Sequence, residues 1–208
     1  MCWETAYEQW LNAPALSQQE QEELRAIQKD KMELRERFCA PLAFGTAGLR
    51  GTMKVGLHHM NVHVVRWVTQ GFAEVICAES DWAGDRKAAV CMDGRKNSRR
   101  FAEAAAEVLA ANGITVYLFD GPRPTPELSF AVRAYGCLAG INITASHNPK
   151  EYNGYKAYWC DGAQLQTETA MAVSARLEEI DVFAGPKRMD LQRGIELGRI
   201  CLLGRSCD

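Results

Sequence analysis

Hydrophobic and polar positions predict a helical start to the chain. Residues 3–38 are polar with apolar positions at helical spacing, and Ser17 with Glu20 forms a capping box for a second helix. This helical arm is expected to end before Pro41. Asn61 then caps an amphipathic helix whose apolar face repeats at one-turn intervals, which is typical of a helix packed on a core.

Short apolar runs alternate with helical stretches in the rest of the chain. Buried strands are expected at residues 88–92, 114–119 and 137–143, and at 155–159 after a turn at Asn153-Gly154. Helices are expected from about residue 101 to Asn112-Gly113, at 127–134 and at 167–180. This alternation predicts an α/β fold, a three-layer α/β/α domain with a mixed, mostly buried sheet after the helical arm. We assign the arm to residues 1–40, the domain to 41–185 and a tail to 186–208.

Composition narrows the class of protein. The 208 residues include 24 Lys+Arg and 26 Asp+Glu, and 47% are hydrophobic, which excludes a disordered chain. A net charge of -2 gives no attraction to nucleic acid or to an anionic membrane. No apolar run approaches the ~18 residues of a membrane helix, and the start of the chain is unlike a secretory signal. These features predict a cytoplasmic protein with neither nucleic acid nor membrane as partner.

The eight cysteines are scattered without a CxxC pair, and several lie in apolar stretches. We expect them to be reduced and structural.

Residues 144–156, TASHNPKEYNGYK, concentrate reactive side chains directly after a predicted strand. Open α/β sheets bind ligands at the carboxyl ends of their strands. Ser146 offers a hydroxyl, His147 an imidazole, Asn148 an amide and Lys156 an ammonium group, a set suited to phosphoryl transfer. A polar loop without a ligand is the alternative interpretation.

Residues 44–51, FGTAGLRG, form a glycine-rich loop around Arg50. Glycines let backbone N–H groups approach an anion, and arginine can bind a phosphoryl group with two hydrogen bonds. The loop matches neither common nucleotide-binding motif. A plain tight turn is the alternative.

Together, FGTAGLRG and ITASHNPKEYNGYKAYW resemble the N-terminal domain of the α-D-phosphohexomutase superfamily, closest to its phosphoglucomutase/phosphopentomutase-like members. The stretches MNVHVVRWVTQGFAE, DGRKNSRRFA and PRPTPELSFAVR fit the same domain in order. The resemblance covers roughly residues 1–185.

The resemblance implies a role for each motif residue. Ser146 would be the phosphoserine that exchanges phosphate with the sugar, and its phosphate would be one ligand of Mg²⁺. His147 and Lys156 would handle protons and stabilise the phosphate. The substrate- and phosphate-binding residues would be Arg50, Thr46, Gly45 and Asn148.

The resemblance also implies a reaction. Full-length relatives would interconvert glucose 1-phosphate and glucose 6-phosphate with glucose 1,6-bisphosphate as activator; mannose or pentose phosphates are the alternative substrates. The sequence has no DGDGDR-type metal loop, sugar-selecting loop or distal phosphate loop. We therefore expect a truncated chain at the start of a missing second domain, an incomplete Mg²⁺ site and negligible turnover. We also expect self-association through an exposed domain-docking surface.

Two alternative functions stay open at this stage. The chain could be a non-catalytic domain that binds phosphate or a partner, or a serine hydrolase that uses Ser146, although no acid partner for a triad is evident.

Three further groups of polar residues favour structural interpretations. We expect Asp93 and Arg95 to form an ion pair or helix cap, and Asp161 to lie in a turn rather than a metal site. His58 and His59 stand where similar proteins carry an arginine before Met-Asn, and adjacent histidines rarely converge on one metal ion.

Overall fold

A computed structural model describes residues 2–204 and contains one mixed sheet. Its strands are β1 (Leu49–Thr52), β2 (Lys87–Met92), β3 (Thr115–Phe119), β4 (Ala139–Ile143), β5 (Tyr152–Trp159) and β6 (Ile200–Leu203). Their order is β1-β5-β4-β2-β3-β6. Strands β4, β2, β3 and β6 are parallel, whereas β5 is antiparallel to both β1 and β4.

Helices cover both faces of this sheet. They are α1 (Trp3–Leu11), α2 (Gln18–Ala26), α3 (Lys31–Phe38), α4 (Val62–Ala78), α5 (Ser98–Ala111), α6 (Thr125–Ala134), α7 (Thr167–Glu179) and α8 (Leu191–Glu196). Helix α5 packs on β2, β3 and β4, and α4 packs against α5 and α7. Helix α6 packs on β2 and β4 from the opposite face.

Strand β2 is apolar from Ala88 to Met92 because both of its faces are covered. Val90 and Met92 belong to the large core with α4 and α5, whereas Ala89 and Cys91 belong to a separate core beneath α6. Successive side chains of a strand point to opposite faces, so both faces of β2 are buried. The predicted α/β fold, with its three layers and mixed sheet, is confirmed.

The helical arm begins and ends largely where the caps indicate. The capping box of α2 is present: the Ser17 hydroxyl accepts from the Glu20 N–H, and the Glu20 carboxylate accepts from the Ser17 N–H. A third helix, α3, begins where the Asp30 side chain accepts hydrogen bonds from two backbone N–H groups. Helix α3 ends at Phe38, before Pro41 as expected.

The arm also holds the segment that follows β1. Arg37 of α3 is buried and forms ion pairs with Glu23 and Glu33. Its guanidinium donates to the Val55 carbonyl at 2.9 Å, and the Glu23 carboxylate accepts from the Val55 N–H at 3.1 Å. Lys54 is joined to Glu33 at 2.8 Å. The arm therefore fixes the chain immediately beyond the strand that carries Arg50.

The predicted turn at Asn153-Gly154 is wrong, because both residues lie inside β5. Asn153 is buried and its amide donates to the Lys96 carbonyl and the Ser98 hydroxyl, at 3.1 and 3.0 Å. An Asn-Gly pair favours a hairpin locally, but here these tertiary hydrogen bonds keep it in a strand.

The predicted tail also differs from the structure. Residues 191–196 form α8 and residues 200–203 form β6, which pairs in parallel with β3. Ile200 and Leu203 are buried by this pairing. The four-residue run of β6 is too short to be predicted as a strand from the sequence, and its partner strand is remote in sequence. Residues 205–208 of the predicted tail lie outside the described residues, and a following second domain stays a prediction.

The cysteines are expected to be reduced. The seven cysteines within the described residues are all free thiols, and Cys207 lies outside that range. Burial raises the pKa of Cys91 and of Cys137 to about 12, so both are inert protonated thiols.

No helix in residues 2–204 is long and apolar enough to cross a membrane.

We predict that Glu20 makes stability depend on pH. The His63 imidazole, 3.3 Å from the carboxylate, and the Ser17 groups lower the Glu20 pKa from 4.5 to about 2. A carboxyl whose pKa is depressed by folding stabilises the fold above its unfolded pKa, and this contribution is lost as pH falls from about 5 towards 2. Glu20→Gln should lower the free energy of unfolding by about 1–2 kcal/mol at pH 7 and by roughly half as much or less at pH 3, where part of this contribution has been lost.

Urea unfolding between pH 7 and pH 3 measures this difference. Glu22→Gln is the matched control, because Glu22 is an exposed glutamate of the same helix. The same pH dependence in Glu20→Gln and in the wild type would contradict the prediction.

Candidate active site

Strand β5 brings together two cations that are far apart in the sequence. Arg50 of β1 lies opposite Gly154 of β5, and Lys156 of β5 lies opposite Asn142 of β4. Residues opposite each other in antiparallel strands share a face, as do positions i and i+2 of one strand. Arg50 and Lys156 therefore lie on the same face of the sheet, on neighbouring strands.

Ser146 lies in the loop of residues 144–151, which connects β4 to β5. Its backbone is in the left-handed region at φ 56°, an uncommon conformation for a residue other than glycine. The Ser146 N–H donates to the Thr144 hydroxyl at 3.0 Å, and the Asn148 N–H donates to the Ala145 carbonyl at 3.1 Å. The exposed Ser146 hydroxyl lies 3.4 Å from Nδ1 of His147.

These side chains line a single cavity of about 410 Å³. Its lining residues are Ala43, Ala47, Gly48, Leu49, Arg50, Thr144, Ser146, His147, Lys156 and Gln164. Arginine and lysine contribute two positive charges, and the lining contains no carboxylate to offset them. A cavity with a hydroxyl, an imidazole and two cations suits a phosphorylated ligand.

Three of the residues implied for phosphate binding do not line this cavity. Gly45 and Thr46 are exposed, and Gly45 exchanges backbone hydrogen bonds with Gly48 in a tight turn. Asn148 lines a different cavity of about 950 Å³, together with residues that follow β1 and β2. Thr144, the first residue of the TASHNP motif, and Gln164, which lies in no motif of the sequence, line the serine cavity instead.

The glycine-rich loop contains one glycine, Gly48, that the strand geometry requires. Gly48 has φ 77°, and a Cβ there would lie 1.8 Å from the Tyr155 carbonyl oxygen of β5. Only glycine permits this approach. The glycine thus lets the loop cross β5 closely and enter β1, which places Arg50.

Asp93 and Arg95 form the expected ion pair, with Nε and Oδ2 3.2 Å apart. Asp93 Oδ1 also accepts from the Ser98 hydroxyl at the start of α5. The position of Arg95 in the sequence is a signal that its side chain could contact the serine loop as well as Asp93. It follows β2, whose carboxyl end meets that of β4 at one edge of the sheet.

The other polar groups make contacts within the protein. Asp161 accepts from the Ala163 N–H at 2.9 Å in a turn. His58 bonds the Ala40 carbonyl, while His59 is 2% exposed and lies between Thr52 and Glu36. Burial lowers the His59 pKa. No cluster of three or more His, Cys, Asp or Glu side chains able to hold a metal occurs within residues 2–204.

The fold and the cavity define an α/β/α domain with a cationic site formed by β1, β5 and the loop that follows β4. The sequence profile of the phosphoglucomutase/phosphomannomutase family, alpha/beta/alpha domain I, matches residues 41–183. The chain belongs to this family.

Individual relatives agree with this assignment. The phosphoglucomutase of Staphylococcus aureus strain USA300 is 44% identical over 153 residues, which are 74% of this chain and 27% of that protein. A Thermus thermophilus protein assigned as a phosphomannomutase superposes with a TM-score of 0.61 at 33% identity, over 74% of this chain and 34% of that chain. A Burkholderia thailandensis phosphoglucomutase/phosphomannomutase family protein shares the fold, with a TM-score of 0.57 at 24% identity over 78% of this chain and 32% of that chain. The chain thus spans about a quarter of the length of the curated relatives that it matches.

We predict that Gly154→Ala disrupts the packing of the site. A Cβ at this position would lie 2.6 Å from the Thr144 carbonyl oxygen and 3.0 Å from that of Leu49. Because both obstacles are backbone, β1 or the serine loop must shift, at a cost of about 1–3 kcal/mol. Thermal unfolding should detect the loss of stability.

Gly45→Ala is the matched control, because a Cβ at Gly45 meets nothing within 4 Å. Equal unfolding midpoints for the two variants would contradict the prediction.

Proposed function

We propose that this chain is the phosphoserine-bearing part of a phosphosugar mutase. The observation that carries the proposal is the cavity in which the Ser146 hydroxyl, His147, Arg50 and Lys156 meet. Family membership supports the same chemistry, with glucose 1-phosphate and glucose 6-phosphate as the substrate pair and mannose or pentose phosphates as the alternatives. We place the protein in the cytoplasm, where these phosphosugars occur.

The proposed half-reaction transfers one phosphoryl group between a sugar and Ser146. As a P–O bond of glucose 1,6-bisphosphate breaks, the bond between phosphorus and Ser146 Oγ forms. The hydroxyl proton of Ser146 passes to His147, which returns a proton to the sugar oxygen that leaves. The reverse transfer moves the phosphoryl group from Ser146 to the free hydroxyl of a sugar monophosphate, which regenerates the bisphosphate and restores the free serine.

Arg50 and Lys156 would supply the electrostatic part of catalysis. Negative charge spreads over the equatorial oxygens of the phosphoryl group during transfer. Two cations held by neighbouring strands stabilise that charge without reorganising, which lowers the barrier.

The described residues do not fit a complete Mg²⁺ site. The cavity contains no carboxylate, and the one prospective ligand is Ser146, through its phosphate once phosphorylated. Mg²⁺ prefers several oxygen ligands in an octahedral arrangement. No step proposed here runs through the metal, and we expect negligible mutase turnover by this chain alone.

We predict that the chain gains one phosphoryl group when incubated with glucose 1,6-bisphosphate. Intact-mass spectrometry and peptide mapping should find it on Ser146. Ser146→Ala should abolish the gain, whereas Ser80→Ala, at an exposed serine outside the cavity, should leave it unchanged. Lys156→Met should slow uptake about 10-fold or more, because a cation beside the transferring group is lost.

Each alternative function predicts a different result. A non-catalytic phosphate-binding domain would bind inorganic phosphate in a titration but gain no covalent phosphate. A serine hydrolase would react at Ser146 with a fluorophosphonate probe. Robust conversion of glucose 1-phosphate by the isolated chain would contradict the expected lack of turnover.

A further inference from the structure

The Arg95 guanidinium binds the loop that carries Ser146 through four backbone carbonyls. Nη2 donates to the Ser146 carbonyl at 2.8 Å and to the Asn148 carbonyl at 2.7 Å. Nη1 donates to the Pro149 carbonyl at 2.8 Å and to the Tyr152 carbonyl at 3.3 Å. One side chain thus spans the loop from the serine to the first residue of β5.

The remaining contacts anchor Arg95 to the rest of the domain. Nε lies 3.2 Å from Asp93 Oδ2, and Asp93 Oδ1 accepts from the Arg95 N–H at 3.0 Å and from the Ser98 hydroxyl at 2.7 Å. The four Nη N–H groups of the guanidinium therefore donate to backbone carbonyls, while Nε forms an ion pair with Asp93. The side chain is only 16% exposed, and these contacts are all with protein atoms, so Arg95 holds the protein itself.

The serine loop requires such an anchor. Ser146 has a left-handed backbone, which an L-residue holds only when its surroundings impose it. In this conformation the Ser146 carbonyl faces Arg95 while its side chain lines the cavity with Arg50 and Lys156. Four carbonyl dipoles that converge on one point would also repel each other without a cation between them.

We propose that Arg95 is a positioning residue for phosphoryl transfer at Ser146. It fixes the left-handed backbone of Ser146 and so keeps the hydroxyl in place beside the two cavity cations. This proposal rests on the proposed function. Because Arg50 and Lys156 are held by strands, loss of Arg95 should misplace the nucleophile but leave the anion-binding groups where they are.

The test compares three variants in the uptake of phosphate from glucose 1,6-bisphosphate. Arg95→Lys keeps the charge but lacks the planar fork, and Arg95→Met removes both. Arg66→Lys is the matched control, since Arg66 is 22% exposed and pairs with Glu107 at 3.1 Å, outside the cavity. Rates are measured against bisphosphate concentration, at a temperature where circular dichroism shows every variant folded.

Both Arg95 variants should lose about 10- to 100-fold in the saturating rate, because small displacements of a nucleophile have effects of this size. Their half-saturating concentration should change less than about twofold, as expected if binding and positioning are separate. A merely structural role would lower the unfolding midpoint without changing the rate per folded molecule. The proposal would be overturned if Arg95→Lys kept the saturating rate of the wild type. It would also be overturned if the Arg95 variants changed only the half-saturating concentration of the bisphosphate.

Amide hydrogen exchange separates this proposal from the proposed function. If the wild-type chain takes up no phosphate, the proposed function fails, and the exchange of residues 146–152 still tests the contacts of Arg95. Exchange there should rise about tenfold or more in Arg95→Lys, with the rest of the domain unchanged, because the loop opens more often. Unchanged exchange in this loop would overturn the positioning role.

Discussion

The antiparallel ladder of β5 is the contact on which the candidate site depends. It holds β1 on one side and β4 on the other, and so joins the glycine-rich loop to the serine loop. Gly48 and Gly154 make this possible, because any side chain there would collide with neighbouring backbone. Without the ladder, Arg50 and Lys156 would not line one cavity with Ser146.

Burial separates the arginines around the site into two kinds. Arg50 is exposed, lines the cavity and is available to a phosphorylated ligand. Arg95 is largely buried, donates to four backbone carbonyls and forms an ion pair with Asp93. Arg37 is buried as well and holds the segment after β1 through Val55. The same residue type thus provides a ligand contact at the surface and a structural clamp wherever protein carbonyls and carboxylates surround it.

Local signals predicted local structure well. The caps at Ser17 and Asn61 and the apolar runs near β2, β3 and β4 lie where the structure has them. The errors at Asn153-Gly154 and at residues 191–203 share one cause. In both places a remote partner decides the conformation: the hydrogen bonds from Asn153 to α5 and its preceding loop, and the edge of β3 for β6.

By itself, the sequence determined the α/β/α class and which residue types could handle a phosphoryl group, because periodicity, caps and reactive side chains are readable along a single chain. The tertiary structure alone decided which of those residues meet. It brought Ser146, His147, Arg50 and Lys156 to one cavity, left Gly45, Thr46 and Asn148 outside it, and revealed Arg95 as the support of the serine loop. Strand pairing and side-chain hydrogen bonds join positions far apart in the chain, and no local pattern records such partners.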